Sequence, residues 1–435
     1  VFDIPLVCHL SAALFFFGTI YGIMEAGFPR RAYPLRRTNL DKGAFTMKLL
    51  HTSDWHIGRS LFEFSLLEDQ QEIFRQIASI IKREQVDAVL ISGDLYDRSM
   101  PSAQAVSLLD EMFTTLISRY HLPILAISGN HDSARRVAYG SRLFGQSGLY
   151  LAGGFSMQMK KVTLQDAFGP VNFFLLPYFI PQQVRLALED SSIRTASEAF
   201  EKLIDQNREQ IDPNERNVLL AHGFFMRQNH SSSAKKEQPE LPQCSGSETS
   251  VGTSDLTDLA CCDELFDYVA LGHLHGAQSA GSERMRYSGS PLKYSVDEAN
   301  SQKSVTIVEL GEKGELSTRQ IPLTPRRDLR VITGTIEQLC DPQLASDDYV
   351  FAQLISQGPV LNAMSRLREV YPHTLGLSFH QTLPSPSAIL SQNPASLPPE
   401  ELFDRFYQQV QQQELSEEQQ KIVQSTLRQV SQELL

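Results

Sequence analysis

The chain is short of positive charge. Its 435 residues carry 39 Lys and Arg against 51 Asp and Glu, a net charge of −12. A protein that binds nucleic acid unaided usually presents a basic face. A role on DNA would therefore need local positive charge from metal ions, from a patch or from a partner. Cysteine is sparse too. The five (Cys8, Cys244, Cys261, Cys262 and Cys340) are odd in number, two are adjacent, and none has the spacing of a zinc site. This excludes a disulfide framework and fits a reducing, cytoplasmic compartment. Hydrophobic content of 41% and charged content of 21% are ordinary for a globular protein, and the length allows two or three domains. One long, largely apolar stretch, Leu6 to Met24, lies near the start, with Arg30, Arg31, Arg36 and Arg37 after it. Residues 1–46 read as a non-native extension or mis-set start, or as a single membrane anchor with a basic flank. A signal peptide fits less well, because no basic residue precedes the apolar stretch. The extension is the preferred reading, since Met47 itself opens a strand. No membrane contact is expected unless 1–46 is an anchor.

From Met47 onward, strand-like and helix-like segments alternate. Lys48–Ser53, Val86–Ser92, Leu122–Ser128, Val171–Phe179, Asn217–Ala221 and Tyr268–Leu271 are apolar runs that suit buried parallel strands. Leu66–Glu84, Ala103–Tyr120 and Ala196–Gln210 have helical spacing, and Val305–Leu310 reads as a closing strand. The alternation predicts an α/β layered fold, central β-sheets flanked by helices, over 47–325. Residues 227–254, rich in Ser, Gln, Glu and Gly, read as a flexible insertion. After Pro325 the strands Leu329–Ile336, Tyr349–Ile355 and Leu375–Phe379 and a helix over Val360–Val370 predict a small α+β domain, 326–384. A Pro/Ser-rich linker, Ser385–Pro399, leads to two amphipathic helices, Glu400–Gln413 and Ser416–Leu434. Residues 385–435 are thus expected to hold a partner helix or coiled coil, or else to dock on their own domain.

Ligand-type residues stand where the strands run out. Asp54 and His56 follow the first, Asp94 and Asp97 the second, Asn130, His131 and Asp132 the third, His222 the next, and His273 and His275 the last. Two residues apart in a strand, Asp54 and His56 can point to one side. Carboxylates with imidazoles suit Mn²⁺, Fe²⁺ or Zn²⁺ better than Mg²⁺ or Ca²⁺. Any one of these residues alone would be an ordinary cap or turn residue. As an ordered set at the ends of neighbouring strands they point to a two-metal hydrolase.

The ordered set Asp54-x-His56, Gly93-Asp94-x-x-Asp97, Gly129-Asn130-His131-Asp132, His222 and Gly272-His273-x-His275 resembles the calcineurin-like metallophosphoesterase superfamily. The segments Met47–Arg59 and Tyr287–Ser295 are similar to one branch, the SbcD family of the bacterial SbcCD exonucleases, relatives of the double-strand-break repair nucleases. The likeness runs over about residues 47–435. It implies one metal on Asp54, His56, Asp94 and His275, and a second on Asp94, Asn130, His222 and His273. It further implies two Mn²⁺ on each copy of the chain, with Mg²⁺ or another divalent ion as substitutes, and His131 as the catalytic residue. Asp97 stands where some relatives carry a His. Two such ions would clamp a phosphate and lower the pKa of a water, while His131 protonates the leaving oxygen. Arg59, Tyr287, Ser288 and Ser290 are DNA-contact candidates, and His51 is either a phosphate contact or a plain surface residue. The implied activity is ATP-dependent double-strand exonuclease and single-strand or hairpin endonuclease, in DNA repair, recombination and replication. It implies an SbcC-like coiled-coil ATPase as partner, a homodimer within a heterotetramer and a cytoplasmic, nucleoid-associated location. The alternative is a phosphoesterase of the same fold acting on small phosphodiesters or monoesters. A protein phosphatase is disfavoured, because Asp97-Arg98-Ser99 and Asn130-His131-Asp132 depart from that branch's Asp-Arg-Gly and Asn-His-Glu. A non-catalytic scaffold is disfavoured by the intact ligand set.

Overall fold

The computed structural model describes residues 46–227, 256–356, 360–380, 403–404, 407–408 and 415–433. Residues 1–45, nearly all of the 227–254 segment, the 385–399 linker and most of Glu400–Gln413 lie outside the described residues, and with them the anchor question. Among the described residues, no helix is long and apolar enough to cross a membrane.

Strand alternation sorts the core into layers. In β1 (Met47–Thr52), β2 (Ala88–Ser92) and β3 (Ile124–Ile127), Leu50, Val89, Ile91, Ile124 and Ala126 face one way and join one apolar cluster. Their neighbours Leu49, Leu90, Leu125 and Ile127 face the other way and join a second. That second cluster is completed by Phe173 and Leu175 from β6 (Gly169–Leu176), Val218 and Leu220 from β7 (Arg216–His222), and Tyr268 and Ala270 from β8 (Tyr268–Gly272). Two sheets therefore pack face to face, and their central strands are largely apolar because both faces are buried. The layered fold of central sheets flanked by helices, expected from the sequence, takes the form of two sheets, each with helices on its outer face.

The first sheet has the order β12-β11-β1-β2-β3-β4, where β4 is Leu149–Ala152, β11 Ser304–Leu310 and β12 Leu316–Pro322. β1 to β4 run parallel, and β11 is antiparallel to β1. Val305–Leu310 does not close the sheet, since β12 pairs outside it. The second sheet has the order β9-β10-β8-β7-β6-β5, with β5 at Lys160–Asp166, β9 at Gln278–Ser282 and β10 at Met285–Tyr287. β6, β7, β8 and β10 are parallel.

Helices cover the outer faces. α1 (Leu67–Glu84) buries Ile73, Phe74, Ile77, Ile80 and Ile81, and α2 (Ala103–Thr114) buries Leu108, Leu109, Met112 and Phe113 against the first sheet. Acidic Glu68 and Asp69 in its first turn and Lys82 and Arg83 in its last suit the α1 dipole. The α-helix expected to reach Tyr120 gives way at Thr115 to a π-helical turn. On the second sheet, α3 (Pro181–Leu188) and α4 (Ala196–Asn207) bury Val184, Phe200, Leu203 and Ile204.

A third sheet, β13 (Leu329–Gly334), β14 (Tyr349–Ile355) and β15 (Thr374–His380), carries α5 (Ala363–Val370). The strand expected to reach Ile336 stops at Gly334, because Thr335 caps a short helix in a reciprocal box with Gln338. Leu329, Tyr349 and Leu375 belong to the same apolar cluster as α1 and α2. The Tyr349 hydroxyl donates to Asp69 of α1 at 2.8 Å. A second compact unit, Leu354–Leu361 with Ser378–Leu435, holds the helix α6 (Glu417–Glu433).

Candidate active site

The parallel strands β1, β2, β3, β7 and β8 end on one side, and ligand-type residues leave each end. Open sheets bind ligands in the crevice beyond their strand carboxyl ends. Here that crevice is shared by two sheets, so the neighbouring strands expected from the sequence are neighbours within and across the sandwich. Backbone bonds gather the loops: Asp54 N donates to Gly93 O at 3.1 Å, and His56 N to Asp94 O at 2.9 Å. Asp54, His56 and Asp94 all take left-handed backbone (φ 53°, 44° and 51°), and His273 has φ 110°. Non-glycine residues avoid this region, and such strain concentrates at functional sites. Asp54 and His56 are therefore turned inward by local left-handed bends, not by the simple strand alternation expected.

Glycines let the two sheets meet. A Cβ on Gly272 would lie 1.9 Å from the Ser92 carbonyl oxygen, and one on Gly129 would lie 2.1 Å from Asp94 Oδ1. The turn at Gly93 (φ 94°) also leaves no room for a side chain, whose Cβ would fall 2.1 Å from His222 Nδ1.

The side chains converge around Asp94. Its Oδ2 lies 3.6 Å from His56 Nε2 and 3.5 Å from His222 Nε2. On one side, Asp54, His56 and His275 bring donor atoms within 4.8 Å of one another, with His56 and His275 Nε2 atoms 3.2 Å apart. On the other, Asn130 Oδ1 lies 2.9 Å from His222 Nε2 and 3.3 Å from His273 Nδ1. Asp54, Asp94 and His222 form a further trio with the same closeness.

The donor set calls for cations. His222 Nδ1 faces the Ser92 carbonyl at 2.8 Å and must donate to it. Its Nε2 then turns a lone pair toward two oxygens, Asn130 Oδ1 and Asp94 Oδ2, unless a proton or a metal lies between them. Burial disfavours the His222 imidazolium, yet the Asp94 and Asp54 carboxylates outweigh it and raise the pKa to about 9. Burial likewise opposes charge on Asp94, but His222 and His56 hold it well below the usual carboxylate range. Burial pushes Asp54 up to about 6, and burial followed by the charge of His222 pushes His273 down to about 3. Two carboxylates, an amide oxygen and four imidazoles are donors that borderline divalent metals accept. These residues fit the metal pair that the sequence implies.

His131 stands beside this set. Its backbone N donates to Asp94 Oδ1 at 2.9 Å, and its Nδ1 donates to the Asp97 carbonyl oxygen at 2.9 Å. Its ring meets that of His56 edge-on, centroids 4.7 Å apart. Asp97 bonds Arg59 at 2.8 Å, and the Arg59 guanidinium lies over the Tyr294 ring. Asp132 accepts from the N–H groups of Gly129, Leu95 and Tyr96 and so ties two of the loops together.

Four contact candidates face inward. The Tyr287 hydroxyl, fully buried, accepts from Phe225 N and has the carbonyl oxygens of Gly223 and Phe225 within reach of its one proton. Ser288 meets Ser53, and Ser290 donates to Leu292 O. His51 is buried between Tyr268 OH and Ser92 Oγ, and burial lowers its pKa to about 3. None of the four side chains reaches a surface where DNA could lie, and those expectations are corrected. Arg59 alone of the group stays partly open. Sequence reasoning also missed Gln70, whose amide donates to His56 O at 2.8 Å and accepts from Gly58 N at 3.0 Å. It missed Glu298, which accepts from His275 Nδ1 at 3.0 Å. Neither shows a motif, because each meets its partner through the fold and not through spacing.

Residues 47–277 match the family model described as calcineurin-like phosphoesterase. Residues 325–411 match the type 5 capsule protein repressor C-terminal domain. The chain is 33% identical over 335 residues to the D subunit of nuclease SbcCD from Staphylococcus epidermidis, spanning 76% of this chain and 85% of that one. It is 32% identical over 386 residues to the protein of the same name from Staphylococcus saprophyticus, spanning 88% of this chain and 98% of that one. With the strand-end donor cluster lying inside the first matched region, the chain belongs to the calcineurin-like phosphoesterase family, on the branch of the SbcD nucleases.

Proposed function

We propose that this chain is the two-metal nuclease subunit of a DNA-processing complex. It would cleave phosphodiester bonds as an ATP-dependent double-strand exonuclease and as a single-strand or hairpin endonuclease, with a coiled-coil ATPase as partner. The observation that carries the reading is the position of Asp94 between two donor groups. One ion would sit on Asp54, His56, Asp94 and His275, the other on Asp94, Asn130, His222 and His273, both Mn²⁺ in the working enzyme. When bound, the ions supply charge to hold the scissile phosphate and acidify a water. Asp94 would serve both donor groups, since its Oδ2 lies within 3.6 Å of His56 Nε2 and 3.5 Å of His222 Nε2. His131 donates through Nδ1 to the Asp97 carbonyl, so its Nε2 is the atom left to carry a proton to the leaving 3′-oxygen. Arg59, braced by Asp97 and Tyr294, is a phosphate contact.

Local charge supports a DNA substrate despite the acidic total. From Ser133 to Gln165, just past His131 and Asp132, there is no Asp or Glu, against five Lys and Arg. Arg135, Arg136 and Arg142 in that run are exposed, as is Arg98 beside Asp97. In this reading residues 326–384 cap the catalytic domain, residues 385–435 hold the ATPase, and the chain works as a homodimer within a heterotetramer.

The test is Mn²⁺-dependent degradation of linear duplex DNA by the full chain, with and without its ATPase. His131→Ala is expected to slow cleavage about 10²–10⁴-fold while Mn²⁺ binding persists. A wild type that leaves DNA intact in both settings, yet hydrolyses a small phosphodiester, would overturn the nuclease reading.

A further inference from the structure

One buried ion pair beside the donor set is not explained by the ligands themselves. Glu298 and Lys303 lie just before β11 and are 4% and 5% exposed. Burying both charges is unfavourable unless the geometry repays it. Here the geometry leads to His275. Glu298 Oε1 accepts from His275 Nδ1 at 3.0 Å and from Ser295 Oγ at 3.2 Å. Its Oε2 lies 2.5 Å from Lys303 Nζ. Lys303 Nζ also donates to the His275 carbonyl oxygen at 2.9 Å and to Ser290 Oγ at 2.9 Å. Glu298 thus grips the ring of His275, and Lys303 grips both Glu298 and the His275 backbone.

The other imidazoles are held differently. His222 Nδ1 rests on a backbone carbonyl, and the nearest carboxylate oxygen to His56 Nδ1 is Asp97 Oδ1 at 3.8 Å. A neutral imidazole that gives its Nδ1 proton to a carboxylate keeps a lone pair on Nε2, which is the form a metal accepts. His275 Nε2 points to His56 Nε2, 3.2 Å away, inside the donor group.

We propose that Glu298 is a positioning residue for metal binding, fixing the tautomer and direction of His275, with Lys303 and Ser290 as its brace. This rests on the two-metal reading and gives the Tyr287–Ser290 stretch a structural task in place of a DNA contact.

The test uses the full chain with two double variants, so that no buried lysine is left alone. Glu298→Met/Lys303→Met replaces the pair by apolar side chains of similar reach. Glu298→Gln/Lys303→Met keeps an acceptor for His275 and serves as the rescue. Mn²⁺ titration followed by electron paramagnetic resonance should show one site weakened about 10–100-fold in the Met/Met chain and partly restored in the Gln/Met chain. Thermal melts in chelator establish that both fold, and ¹⁵N-histidine spectra of the metal-free chains report the His275 tautomer. A folded Met/Met chain that binds Mn²⁺ as the wild type does overturns the proposal. If the wild type takes up no Mn²⁺, the two-metal reading falls and the spectra decide on Glu298 alone. A His275 that then keeps one tautomer in the Met/Met chain overturns its assignment.

Discussion

At the scale of single residues, the site depends on atoms that are missing as much as on those present. Gly272 ends β8 where Ser92 ends β2, and the strands approach so closely that a Cβ would lie 1.9 Å from the Ser92 carbonyl oxygen. That oxygen cannot swing aside, because it belongs to the backbone and also accepts from His222 Nδ1. Gly272→Ala is therefore expected to part the two sheets at the metal end, at a cost of about 1–3 kcal/mol. His222 and His273 would move with it, so Mn²⁺ affinity should fall together with the melting temperature. A Gly272→Ala chain that melts and binds Mn²⁺ like the wild type would mean that the strands separate there without cost. Asp54, His56 and Asp94 are the complementary case, residues with side chains that hold left-handed backbone. Their strain is tolerated because buried bonds overdetermine it, including His273 N to Asp54 Oδ1 at 3.0 Å and His131 N to Asp94 Oδ1 at 2.9 Å.

At the scale of elements, α1 does more than cover the first sheet. Its first turn buries two adjacent polar residues that serve different neighbours. Asp69 accepts from Tyr349 in the third sheet, and Gln70 clamps the loop that carries His56. Gln70→Leu keeps the volume but leaves His56 O and Gly58 N without their side-chain partner, an expected loss of about 1–3 kcal/mol. Because His56 sits on that loop, the variant should also weaken Mn²⁺ binding beyond what stability alone explains. Calorimetric titration at a temperature where the variant is fully folded separates the two; full Mn²⁺ affinity there would show that Gln70 is structural only. The contrast between α1 and the ligand strands explains what the sequence made legible. β2, β3, β7 and β8 are unbroken apolar runs because both their faces are buried, and each hands a ligand to the loop beyond it. Such runs do not say which of them are neighbours, so the assignment of each strand to its sheet was hidden. β5 and β12 were missed because half their residues are exposed and polar, as in Lys161 and Gln165 or Ser317 and Arg319. Gln70 and Glu298 carry no signature either, as a lone polar residue near a helix or strand end reads as surface.

At the scale of the whole molecule, the question is how a chain of net charge −12 would hold a polyanion. Duplex binding releases counterions, and the dependence of log affinity on log salt has a slope of about −0.9 per phosphate neutralised. An acidic chain can do this only through a local surface, and the acid-free run from Ser133 to Gln165, close in sequence to His131, is a candidate. Its exposed Arg135, Arg136 and Arg142 would each meet a phosphate and no base edge, so they should contribute affinity without sequence preference. Replacing all three by Gln removes three positive charges and no packing core. The salt slope for binding linear duplex should then flatten by up to about 2.7, while Mn²⁺ affinity and hydrolysis of a small phosphodiester stay unchanged. The same titration with the ATPase present asks where the rest of the positive charge lies. A steeper slope for the complex would assign most phosphate contacts to the partner. Equal slopes and equal affinity for the chain alone would mean that this surface suffices and that the acidic total has no bearing on substrate capture. Should the triple variant keep the wild-type slope in both settings, the arginine face does not lie on the DNA path, and the track must leave the metal site in another direction.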